Sequence, residues 1–70
     1  MTVESIRELL NRRPFEPFEV HMSNGDVHQV KHPEVAILSK TRLIVVDYDI
    51  DRVAICSLLH IASVQMLQMA

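Results

Sequence analysis

The stretch Phe18-Glu19-Val20-His21-Met22-Ser23-Asn24-Gly25-Asp26-Val27-His28-Gln29-Val30-Lys31 decides the fold. Its first five residues alternate, with Phe18, Val20 and Met22 on one face and Glu19 and His21 on the other. A period of two marks a strand with one buried face. Asn24-Gly25 follows, a dipeptide that accepts positive φ and closes β-hairpins. Residues 27–31 then return as the second strand. A two-residue turn would set His21 across from His28 and Met22 across from Val27, and would leave Val30 on the polar face. A bulge or a longer loop would bring Val30 back to the apolar side. Both registers are open at this point.

Upstream, residues 2–13 carry the pattern of a helix. Val3, Ile6, Leu9 and Leu10 fall on one stripe at helical spacing. Thr2 is placed to cap the N-terminus, and Glu4 sits where the helix dipole favours an anion. Arg12 and Arg13 occupy the last turn, and Pro14 stops the helix. Three turns are too short to stand alone in water, so the stripe must dock on the sheet. Pro14-Phe15-Glu16-Pro17-Phe18 is a stiff connector, with Phe15 and Phe18 read as plugs between helix and sheet.

Downstream, Pro33 suits the first position of a helical turn, so residues 33–38 read as one short turn packing Val35 and Leu38. Residues 42–46 are rich in β-branched side chains and read as a strand buried on both faces. Asp47-Tyr48-Asp49-Ile50-Asp51 is a hairpin loop, residues 52–57 a strand, Leu58-Leu59-His60 a tight turn, and residues 61–66 the last strand. Met66, Leu67 and Met69 read as a segment packed on the sheet or as an adaptable partner surface. The expectation is a mainly β (α+β) chain: one domain over residues 1–70, with a helix and then a five-stranded, strongly bent antiparallel sheet over 18–67 that can curl into a small barrel.

Seventy residues suffice for one small domain, which buries only about 60% of the surface its unfolded chain exposes. Yet 49% of the residues are apolar, a surplus that calls for a dense core or for a second copy covering an exposed edge. The fourth and last strands are the sequence's choice for that contact, through Ile55, Leu58, Leu59, Ile61 and Val64, because few charges interrupt them. Cys56 is the only cysteine, which rules out an internal disulfide and suits a reducing compartment. The first ten residues mix Glu4, Arg7 and Glu8 into their apolar positions, unlike a secretory leader, and no apolar run nears the length of a membrane span. A soluble, cytoplasmic protein is expected. The net charge of −2 argues against generic nucleic-acid binding.

The order of elements, with Val20-His21-Met22-Ser23-Asn24-Gly25 and Leu59-His60-Ile61-Ala62-Ser63-Val64, resembles the SH3/Sm-like small barrel and, within it, the bacterial Hfq proteins. Those have an N-terminal helix, five bent strands and a histidine turn before the last strand. The resemblance implies binding of short single-stranded RNA through Asn24 and His60, with Arg12 and Arg13 as helix cations. Three features depart from it: Val30 stands near where a glycine lets the strand bend, Leu59 replaces the lysine before the histidine, and His32-Pro33-Glu34 interrupts the second strand. The string, with its Pro-Phe-Glu-Pro-Phe and His-Pro-Glu steps, also looks like a set of short bacterial proteins of unknown function, which implies no activity.

Chemistry-bearing groups are sparse. His21, His28 and His32 would share one face if the two-residue turn held, a set able to ligate zinc, or equally a solvated face of the sheet. Asp47, Asp49 and Asp51 have the opening spacing of a calcium loop, but Arg52 and Leu58 stand where that loop needs glycine and glutamate. Cys56 lies in an apolar strand, the setting of a small buried hydrophobe rather than a nucleophile. No cofactor motif is present, and no enzyme is expected. The leading reading is a non-catalytic interaction module that forms a homo-oligomer or takes a protein partner, with RNA binding as the alternative.

Overall fold

The computed structural model describes residues 1–67. It is an α+β chain of one N-terminal helix and six strands. The helix α1 spans Val3–Asn11. The strands are β1 (Phe18–Met22), β2 (Val27–Val30), β3 (Ala36–Leu38), β4 (Arg42–Asp47), β5 (Arg52–Ser57) and β6 (Ile61–Met66). They form two antiparallel three-stranded sheets, ordered β2-β1-β6 and β3-β4-β5. The expected five-stranded sheet is therefore corrected to six strands in two sheets that do not close into a barrel. The interruption is local: His32 leads into a 3₁₀ turn at Pro33–Val35, which breaks the chain between β2 and β3.

Helix α1 is shorter than the expected residues 2–13. Thr2 caps it, its hydroxyl accepting from the Ser5 backbone N–H at 3.3 Å. Arg12 is already extended, with ψ at 139°. Both arginines thus lie beyond the helix rather than in its last turn, because the residues leading into a proline are steered away from helical backbone. Ile6 carries the buried stripe into the core, and the helix packs nearest β3.

The β1–β2 hairpin resolves its register by lengthening the loop. Gly25 N–H donates to the Met22 carbonyl at 3.0 Å, and Met22 N–H donates to the Asp26 carbonyl at 2.8 Å. Ser23-Asn24-Gly25 is thus a three-residue loop with only Gly25 at positive φ, 96°. This is a turn followed by one left-handed residue, not the mirror-image two-residue turn that needs positive φ twice. His21 pairs with Val27, Val20 with His28 and Phe18 with Val30. The expected His21–His28 pairing is corrected by one residue. The reason is burial: only this register turns Val30 inward beside Phe18, and both are fully buried.

The core lies between the two sheets and α1. Phe18, Val20, Val30 and Ile61 come from one sheet, Leu43, Val45 and Cys56 from the other, with Ile6 from the helix and Leu58 from the turn after β5. Phe15 is half-buried against it, its ring 6.1 Å from that of Phe18. Residues 33–38, expected as one turn, are a 3₁₀ turn followed by β3, which pairs Ile37 with Ile44. Along β6, Ala62 has no partner on β1: His21 faces Ser63 and Met22 faces Ile61. The bulge lets Ile61 and Val64, three residues apart, both turn inward.

Gly25 has open space where a side chain would go, so only its backbone angle restricts it. Gly25→Ala should therefore cost about 1 kcal/mol and Gly25→Asn less, since asparagine tolerates left-handed backbone. Urea unfolding midpoints of the two variants, at unchanged slope, check this order.

Candidate functional site

Strand β4 was expected to be buried on both faces, and it is buried on one. Leu43 and Val45 point inward and are buried, while Ile44 and Val46 point outward and are only half-covered. Their cross-strand partners complete an outward apolar face. Ile37 of β3, Ile44 of β4 and Ile55 of β5 stand in one row, and Val46 and Val53 stand in a second. Exposure reaches 61% at Ile37, 62% at Val53 and 67% at Ile55. Leu59, in the 3₁₀ turn after β5, is 89% exposed. A sheet face of this kind is normally polar outward in a self-sufficient domain.

The edge of this sheet is open as well. An open groove of about 560 Å³ separates β2 from the start of β5, lined by Val27, His28 and Gln29 on one side and by Arg52, Val53 and Ala54 on the other. Ladder geometry fixes which groups of β5 are free. Leu58 N–H donates to the Thr41 carbonyl at 3.0 Å, continuing the register in which Cys56 faces Leu43 and Ala54 faces Val45. Amides alternate in direction along a strand, so the even-numbered residues of β5 bond to β4. The N–H and C=O groups of Val53, Ile55 and Ser57 point to the open edge.

The self-association residues chosen from sequence divide between surface and core. Ile55 and Leu59 are exposed. Leu58 and Ile61 are corrected to core residues, at 5% and 6% exposure, because the 3₁₀ turn tucks Leu58 under the sheets and the β6 bulge turns Ile61 inward. Val64 is half-buried opposite Val20. The signal that was missed is the row Ile37–Ile44–Ile55, visible only once β3 is a strand. Met69 lies outside the described residues.

Three of the residues implied by the RNA-binding resemblance, Asn24, Arg12 and Arg13, are engaged locally through their side chains. The Asn24 side chain accepts from Asp26 N–H at 2.9 Å and donates to the Asp26 carboxylate at 3.2 Å, which ties down the hairpin loop. Arg12 pairs with Glu16 at 3.2 Å on the surface. Arg13 turns back to the carbonyls of Leu10 and Arg12. The fold does bring the two matched segments together: Ser23 N–H donates to the His60 carbonyl at 2.8 Å.

The three histidines do not converge. His21 binds Glu19 through Nε2 at 2.9 Å, and His28 lies across from Val20. Among the described residues no group of three or more His, Cys, Asp or Glu is placed to hold a metal ion. Asp47 accepts from the Asp49 N–H at 3.1 Å, and Asp51 is left-handed at φ 52°, so these aspartates shape the β4–β5 loop. Among the described residues no helix is long and apolar enough to cross a membrane. No protein family, curated protein or solved structure matches this chain.

Cys56 is buried, and burial pushes its thiol above the ordinary range, with the Asp26 carboxylate adding to the effect. A thiol held neutral by the fold favours folding below its ordinary pKa, and that contribution fades as pH rises through the raised value. Iodoacetamide at pH 8 should therefore label native Cys56 slowly and the urea-unfolded chain fast; equal rates in the two states would contradict this burial.

Proposed function

We propose that the chain is a non-catalytic interaction module that self-associates through the outward face and open edge of the β3-β4-β5 sheet. One observation carries this reading. The row Ile37–Ile44–Ile55, with Val46 and Val53 beside it, lies on a solvent-facing sheet surface that ends at the open outer edge of β5. Contiguous exposed apolar surface on a small domain marks an interaction site. A chain this small, with no disulfide, gains most from a second copy that completes its core.

The chemistry-bearing groups support a binding role over a catalytic one. The lone thiol is buried, His21 is held by Glu19, and Asp26 and Asp47 each hold a hairpin loop. Light scattering at micromolar concentration should give at least twice the 8.0 kDa of one chain. A clean 8.0 kDa species across that range would contradict the reading.

A second reading, binding of short single-stranded RNA, has one observation in its favour: the Asn24 loop and the His60 turn are joined through the Ser23–His60 hydrogen bond. It predicts salt-sensitive binding of oligouridine or oligoadenosine, read by fluorescence anisotropy at low salt. An unchanged anisotropy would remove it.

A further inference from the structure

Each of the two sheets has two edge strands, and three of these four edges are blunted. Strand β3 is three residues long. Strand β2 is four residues long and runs into His32-Pro33. Strand β6 carries the bulge at Ala62, which breaks its regular spacing. Short strands, prolines and bulges are the devices that keep sheet edges from pairing with other chains. Strand β5 has none of them. It runs six residues without a bulge, and from Val53 to Leu59 it carries no charge and no proline.

We infer that a second copy of this chain pairs its β5 antiparallel with β5 about a two-fold axis through Ile55, continuing the β3-β4-β5 sheet across the contact. This rests on the self-association reading above and names its geometry. The free amides fix the register. Val53, Ile55 and Ser57 present their N–H and C=O groups to the edge, so the paired residues must come from this set. With Ile55 on the axis, Ile55 faces its own copy, and Val53 faces Ser57 of the second copy at each end. Three such pairs exchange about six hydrogen bonds. An axis at Ala54 would use only two of the pairs, Val53 with Ile55 in each direction.

The same register suits the side chains. On the outward face the isoleucine row becomes Ile37, Ile44 and Ile55 followed by Ile55, Ile44 and Ile37 of the second copy. On the inward face Ala54 meets Cys56, two small side chains. Beyond these pairs Arg52 lies toward the end of the second copy's β5, where the chain carries no charge from Val53 to Leu59, so no like charges meet. A two-fold contact uses the same strand on both chains and closes on itself.

Sedimentation velocity and disulfide trapping test this. The wild type should sediment at about 16 kDa, twice the 8.0 kDa chain. Ile55→Lys should give the single-chain mass with an unchanged far-UV spectrum, because the side chain is exposed and its N–H does not serve β4. Ile37→Lys, on the same face but the opposite edge strand, should keep the double mass. Under a mild oxidant Ile55→Cys should link two chains, since facing Cα atoms of a hydrogen-bonded pair lie about 5.5 Å apart, within disulfide reach. Ile37→Cys should not link.

If the wild type keeps the single-chain mass, the self-association reading and this geometry fall together. A doubled mass with no Ile55→Cys link, or one broken by Ile37→Lys, overturns the edge pairing and leaves self-association standing. A mass of three or more copies overturns the two-fold.

Discussion

The structure depends on one packing contact: the inward residues of β4, Leu43 and Val45, against the inward residues of the other sheet, Phe18, Val20 and Val30. Four of these five side chains are fully buried, and they set the register of both sheets. Phe18 can face Val30 only if the first hairpin has three loop residues, so this contact chooses the loop. Ile61 and Val64 can both reach the inner face only through a bulge, so the same demand breaks β6. A one-residue slip would exchange inner for outer side chains along a whole strand, which is why burial governs each of these choices.

The constraint also explains what is left uncovered. Seventy residues supply one inner layer and one helix, and the helix packs nearest β3. On the outer face of the β3-β4-β5 sheet Ile37, Val53 and Ile55 stay mostly exposed, while Ile44 and Val46 are half-covered. The β-branched and apolar residues there favour extended backbone, and on the self-association reading they are also the surface offered to a second copy. The groove between β2 and β5 keeps the two sheets apart at that edge, so the domain ends in an open strand instead of a closed barrel.

Much of this was legible in the sequence. Helix α1, the first hairpin, β5, the Leu58–His60 turn and β6 follow from period, capping and turn chemistry, which act within a few residues. The failures share one cause, which is long-range pairing. Ala36-Ile37-Leu38 is too short to show a period and becomes a strand only against β4. Asn24-Gly25 suits a two-residue or a three-residue loop, and Val30, five residues on, decides between them through Phe18. The run Ile44-Val45-Val46 reads as buried on both faces, since nothing local says whether a second layer exists. For the site, the uncharged stretch around Ile55 and Leu59 was visible, while Leu58 and Ile61 looked like surface because their inward turn depends on a 3₁₀ turn and a bulge. The three-residue spacing of Ile61 and Val64 was the available clue to that bulge.

The central claim, that β5 is an open edge completed by another copy, is tested most directly by amide hydrogen exchange read residue by residue along that strand. Ala54 and Cys56 donate to β4, and Leu58 to Thr41 just before it, and all three should exchange slowly at every protein concentration. Val53, Ile55 and Ser57 face the edge, and should exchange fast when dilute and slow as concentration rises. Fast exchange at all three edge amides in concentrated protein would contradict the account, whatever the mass in solution.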